Sequence, residues 1–405
     1  MKMFTGWLGL MMALMVPTAE AYNQEIRALF TPDPAQPQRN VFINKTPDSG
    51  YCATYPDECK QHNMFSIRIP TRFGPSSVIT PGTSVPIKAP ANWRQLTVIN
   101  RETGESEVVE VRITGIGSDY VLSHTAASLV GVTDDREGHQ KLWTGDRWVY
   151  AAPPCQYSGV GAYTARTYRF FWKTPEESPC TKVAAFRIPF MSFETMDFAY
   201  ELRTPNPLGM SSGLYTGSIN YFLGPGRDFD IGGLPADDGN LTLDFVLDVQ
   251  HTLKVTLPPG GNKVELVPQG GWQSWINEGR KPNRLFRDQT FHISASSRFK
   301  MMLICPTIIG SNCAITDLNA RRSGMVELKV TLPNGLTDQH GRPVNRFPLT
   351  VGNAGALHVM PSFYVDRGKA TLHFEIGEQY THYMVQPDVP GNYTGTMTVI
   401  WDSET

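Results

Sequence analysis

The sequence has almost no stretch in which apolar residues recur at the three-to-four-residue spacing of an amphipathic helix, which sets aside bundles and α/β folds built on long helices. It also lacks a C-x-x-C pair and any histidine pair one helical turn apart, so its cysteines do not read as a metal site. An excess of one charge is missing too: 36 Lys and Arg against 38 Asp and Glu leave a formal net charge of -2. Nothing in that balance favours a nucleic acid or an anionic membrane as partner. Long apolar runs are absent except at the very start.

That run, Trp7 to Val16, follows Lys2 and precedes the small-x-small triplet Ala19-Glu20-Ala21. It falls well short of the roughly 20 apolar residues that span a bilayer. Residues 1–21 therefore read as a secretory signal peptide, with Tyr22 the first mature residue. Export implies an oxidising compartment, and the cysteine count is even: Cys52, Cys59, Cys155, Cys180, Cys305 and Cys313. Many connectivities are open to such a set; the simplest joins sequence neighbours, Cys52 to Cys59, Cys155 to Cys180 and Cys305 to Cys313.

What the chain does contain is short alternating or β-branched runs, such as FSIRI from Phe65, VVEVRI from Val108, LTLDFVL from Leu241 and VELKVTL from Val326. With 36 Gly and 31 Pro between them, these runs predict an all-β chain of sandwich type, long enough for two cores. Residues 224–240 hold turn residues and acids with little to bury and read as a linker, giving domains at 22–232 and 233–405. Two stretches echo each other: GLYTGSINYFL at 213–223 and GNYTGTMTVIW at 391–401. On this division each opens the last strand of its domain, as in two sandwiches built on one plan.

The second half, with LKVTLPPGGN from Leu253, LFRDQTF from Leu285, SRFK from Ser297 and the closing GNYTGTMTVIW, resembles the pilin domain of chaperone–usher fimbrial tip adhesins. The resemblance is nearest to the alternate-chaperone group that includes colonisation-factor tip subunits. It implies two immunoglobulin-like β-sandwich domains in tandem, the C-terminal one an incomplete pilin fold completed by a donor strand. It also implies the partners: a periplasmic pilus chaperone, an outer-membrane usher, an adjacent major or minor pilin, and a host-surface receptor, glycan or glycoprotein. No cofactor is implied. The protein would pass through the periplasm to the cell surface at the fimbrial tip.

In a strand, Tyr393, Met397, Val399 and Trp401 share one face and Thr394, Thr396, Thr398 and Asp402 the other, so the apolar four are the expected donor-strand and chaperone interface. Residues 22–40 carry three prolines and would donate a strand poorly, which fits a subunit with nothing beyond it. For the receptor, LWTGDRWVY from Leu142 offers Trp143, Asp146, Arg147 and Trp148 on a turn, apt for the C–H faces and hydroxyls of a sugar. A hairpin with both tryptophans in the core is the preferred reading of the same stretch. Arg166, Arg169 and Lys173, set among aromatics, are a second cationic candidate, and the tryptophans of GGWQSW from Gly270 are a third aromatic group, either an interface or packing beneath a loop.

Catalytic signals are thin. Gly209-Met-Ser-Ser-Gly213 fits G-x-S-x-G but precedes a strand where a nucleophile elbow needs a helix. Asp228, Asp230, Asp237 and Asp238 lack calcium-loop spacing. No enzyme and no metal are expected. The alternatives are a non-adhesive minor or initiator subunit, or a secreted β-sandwich hydrolase with two converging carboxylates.

Overall fold

The computed structural model describes residues 22–62, 64–157, 159–319, 321–386 and 391–404. The expected signal peptide lies outside them. The chain is all-β, in two units with separate hydrophobic cores.

The first unit shows how alternation becomes a layer. In Asn240–Val249 the side chains of Leu241, Leu243, Phe245, Leu247 and Val249 are buried while those between face outward, because successive strand residues point to opposite faces. One edge of this strand pairs in parallel with Tyr22–Phe30 and the other in antiparallel with Gly213–Phe222. The sheet continues through Arg94–Asn100, Ser106–Leu122 and Thr167–Lys173. Ser106–Leu122 runs for 17 residues and changes partner along its length, from Arg94–Asn100 to Thr167–Lys173 on one side. Gly115 and Gly117 permit that close approach: a Cβ on the first would overlap the Phe171 ring, and on the second the Phe170 carbonyl. A smaller sheet, Asp230–Ile231, Ser84–Lys88, Cys180–Ala184 and Trp143–Thr144, contributes to the same core.

The expected division at residue 232 is therefore displaced. Asn240–Val249 belongs to the first core, which closes at Val249, and the second unit begins at Leu253. Residues 224–240 are a folded crossing, with Phe229 and Ile231 fully buried. Their acids organise turns: Asp230 accepts from the backbone N–H groups of Gly226 and Gly233, and Asp228 accepts from Phe222 N–H and the Arg94 guanidinium. A row of acids reads as solvated when the donors that satisfy it are remote or lie in the backbone.

The second unit packs two sheets face to face. One is led by Leu253–Thr256, Leu285–Ala295, Val365–Ile376 and Arg322–Thr331, and continues to Asn312–Asp317 and Ile308–Ile309. The other runs Leu336–Asp338, Leu357–Pro361, Phe299–Ile304 and Thr398–Ser403. The three disulfides join sequence neighbours, as expected. Cys305–Cys313 ties the strand Phe299–Ile304 to Asn312–Asp317 across the two layers of the second unit. His251 lies at the junction of the units: its Nε2 donates to Met210 O and its Nδ1 faces Ser296 Oγ.

The two echoing stretches occupy different positions. Gly213–Phe222 is an interior strand, with Tyr215 buried and its hydroxyl on Glu105, and another strand follows it in the same sheet. In the second copy the strand starts only at Thr398; before it, Thr394 bridges to Thr316 of the opposite sheet.

Candidate functional site

The strand Thr398–Ser403 is the edge of its sheet. It pairs along one side with Phe299–Ile304, in the register that sets Val399 against Leu303 and Trp401 against Met301. Among the described residues its other side has no strand partner. That free edge runs beside a groove. A cavity of about 420 Å³ lies between Met397, Val399 and Trp401 on one wall and Leu257, Val264 and Leu266 on the other. Its floor is Ile315, Val326, Leu372 and Phe374.

A second cavity of about 840 Å³ shares Val264, Leu266, Ile315 and Gly395 and extends the groove past Tyr393 to Trp272, Trp275, Leu285 and Met384. The far wall is residues 257–266, which leave the strand Leu253–Thr256 at Pro258-Pro259 and regain the sheet only at the bridge from Val267 to Phe286. Two consecutive prolines cannot donate to a ladder, so this wall holds no strand beside the groove.

Tyr393, Met397, Val399 and Trp401 are each half-buried and line this one groove, Val399 and Trp401 from the strand and Tyr393 and Met397 from the irregular segment before it. The Trp401 ring meets Phe291 edge-on at 5.6 Å, and its buried Nε1–H has no hydrogen-bond partner. A buried donor left unpaired costs about 1–3 kcal/mol. Burial raises the Tyr393 hydroxyl above its ordinary pKa, opposed by the nearby Arg322 guanidinium. Trp272 and Trp275, 5.9 Å apart, close the wide end, so GGWQSW packs as part of the groove.

The receptor candidates separate. Trp143 and Trp148 are core residues, packed at 5.1 Å against one another and around Tyr120, Phe170 and Trp172. Neither can meet a ligand at the surface, which corrects that half of the expectation: Trp143 is buried from its short strand, and Trp148, in the turn that follows, is packed among Tyr120, Phe170 and Trp172. Asp146 and Arg147 remain on the turn between them. The Lys182 ammonium, only 3% exposed, reaches that turn from below and donates to the carbonyls of Gly145, Asp146 and Arg147. Desolvation lowers its pKa to about 8. Lys182 carries no motif, and its role was invisible in sequence because its partners are backbone carbonyls about 35 residues away.

Two residues of the second cationic candidate, Arg169 and Lys173, are committed to partners, and the third, Arg166, is exposed. Arg169 donates to buried Asp197 and to Thr54, and Lys173 faces His62. In the G-x-S-x-G stretch, Ser211 is buried with its N–H on the Glu105 carboxylate, while His251 is committed to Met210 and Ser296. Among the described residues no hydrogen bond joins a histidine to that serine. Among the described residues no cluster of His, Cys, Asp or Glu is arranged to hold a metal ion.

No family model matches the chain, and no curated protein does. Solved structures do. CfaE, the adhesive subunit of the CFA/I fimbria of enterotoxigenic Escherichia coli, is similar over 95% of this chain and 93% of its own at 9% identity and a TM-score of 0.28. A chaperone–tip adhesin complex of CFA/I fimbriae is similar over 95% and 97%, with 9% identity and a TM-score of 0.25. The CsuC–CsuE chaperone–tip adhesion subunit pre-assembly complex of the archaic chaperone–usher Csu pili of Acinetobacter baumannii is similar over 94% and 98%, with 7% identity and a TM-score of 0.22. At such scores whole chains do not superpose closely, so the functional reading rests on the groove and its free edge. These three are structures of a fimbrial adhesive subunit and of two complexes of a chaperone with a tip subunit.

Proposed function

We propose that the chain is the tip adhesin of a chaperone–usher fimbria, in which the first unit binds a host-surface receptor, glycan or glycoprotein, and the second accepts a donor strand. The observation that carries the reading is the unpaired outer edge of Thr398–Ser403 above an apolar groove. Unpaired N–H and C=O groups over an apolar floor favour aggregation. A strand lent by another protein satisfies both at once, its backbone completing the ladder and alternate side chains entering the cavities. A periplasmic chaperone would lend it first, and the adjacent pilin would replace it at the outer-membrane usher.

The N-terminal segment supports a terminal position. Tyr22–Phe30 is bound within its own unit, with Ile26, Ala28 and Phe30 in the core, and is thereby withheld from donation. The reading includes export to the periplasm and display at the cell surface, and assigns no enzymatic step.

Periplasmic co-expression of the chain with its fimbrial chaperone tests it. The expected product is a soluble one-to-one complex, with the chain alone aggregating or being degraded. A stable, monomeric chain purified without chaperone would overturn the strand-acceptor reading. Loss of cell binding by the complex would instead leave a non-adhesive initiator subunit.

A further inference from the structure

The turn that holds Asp146 and Arg147 leads into two exposed aromatic rings. Tyr150 and Tyr157 are 45% and 51% exposed, and their rings stack at 5.9 Å with an interplanar angle of 24°. The Arg147 guanidinium lies 5.6 Å from the Tyr150 ring centroid. Large aromatics stacked on each other in the open leave apolar surface in water that folding does not require.

Their support is rigid. Gly145 and Asp146 both take left-handed backbone angles, φ 83° and 75°, and for a non-glycine residue that conformation is strained. The buried Lys182 ammonium holds the three carbonyls of this turn. Tyr150 N–H donates to Arg147 O, the Trp172 indole donates to Trp148 O, and Tyr157 sits in a strand pair with Trp172. The Cys155–Cys180 disulfide anchors the segment between the two rings to the strand that bears Lys182. A buried ammonium and a strained aspartate are both costly, and together they fix two surface rings in place.

We infer that Tyr150, Tyr157, Asp146 and Arg147 form a platform for a neutral hexopyranose residue of a glycan. The inference rests on the adhesin reading above. Sugar rings present C–H faces that pack on aromatic rings, and hydroxyls that need donors and acceptors at the rim. The tyrosine hydroxyls, the Asp146 carboxylate and the Arg147 guanidinium supply both. A neutral sugar fits better than a sialylated one because the turn's charges are already matched: Arg147 pairs with Asp146 at 3.3 Å, and Lys182 is turned inward onto carbonyls.

The test uses the chain in its chaperone complex, as wild type and as the double variant Tyr150→Ala/Tyr157→Ala, on an array of neutral and sialylated glycans and on epithelial cells. Both rings are half exposed, so the variant keeps the wild-type far-ultraviolet spectrum and a single cooperative thermal transition. Wild type is expected to bind neutral glycans, and the variant to bind them at least about tenfold more weakly. Equal binding by the variant would overturn this site while the adhesin reading stands. Binding confined to sialylated glycans, or to cells through a protein receptor, would overturn the neutral-sugar class. Binding to neither array nor cells would overturn the adhesin reading and this inference with it.

Discussion

Replacing Val399 with Asp separates the folding of the second unit from its completion by another chain. In the free chain Val399 is half-buried at the mouth of the smaller cavity, so a carboxylate there stays in contact with water. Once a donor strand seats, the same position is enclosed between the lent side chains and the floor of Leu372 and Phe374. Full burial of a valine contributes about 1.5–3 kcal/mol, of which the free chain already has about half, so the lost apolar term is about 1 kcal/mol. Enclosing an unpaired carboxylate adds a penalty of several kcal/mol. A total of about 4 kcal/mol corresponds to about a thousandfold in affinity.

The assay is recovery of the one-to-one chaperone complex from periplasmic co-expression by size-exclusion chromatography, with exchange of a synthetic donor-strand peptide into that complex beside it. Val399→Thr is the control for shape: it removes a methyl and adds a hydroxyl that can bond locally, and should weaken binding about tenfold or less. Far-ultraviolet dichroism should be unchanged in both variants, since Val399 is half-buried in the free chain and either side chain there keeps contact with water. A Val399→Asp chain that binds within about threefold of wild type would refute the assignment of this face to the donor strand.

Two further outcomes follow from buried titratable groups. Lys182 releases its proton near pH 8 in the folded chain, against an ordinary value of 10.5. Between about pH 8 and pH 10 the unfolded chain binds the extra proton, so stability rises with pH across that window and is flat below it. Denaturant midpoints at pH 7.5 and 9.5 should show the rise, and Lys182→Met should abolish it. Desolvation holds His251 below its ordinary value of 6.5, with Arg298 acting in the same direction. An opened junction therefore binds the proton more readily, and its closure is complete above pH 6.5 and weakens as pH falls below it. Amide protection factors at residues 208–211 and 296–298, corrected for the intrinsic pH dependence of exchange, should fall from pH 7.5 to 5.5, and His251→Gln should remove that dependence; unchanged protection would sink the junction assignment.

The strands, the three disulfides and the shared face of Val399 and Trp401 were legible because each depends on neighbours in sequence. Alternation fixes a face, and cysteines 7, 25 and 8 residues apart pair with the nearest thiol. The helix Asp135–Lys141 was equally local and was missed, although Asp134 caps it by accepting from Glu137 N–H, a D-x-x-E start signal. The boundary failed for a different reason. Leu241 to Val249 reads as a strand in either domain, and only its pairing with Tyr22–Phe30, more than 200 residues earlier, decides which core it enters.

Sequence by itself determined what this chain is made of: short β-strands, neighbour disulfides and a closing strand with one apolar face. Tertiary structure alone decided where those strands go. It buried Trp143 and Trp148, exposed Tyr150 and Tyr157, seated Lys182 under a turn, and left the outer edge of Thr398–Ser403 without a strand partner among the described residues, beside an open groove. The physical reason is that a strand's face is set by its own alternation, whereas its edge is satisfied only by another strand, and neither sequence order nor composition says whether that strand lies in the same chain.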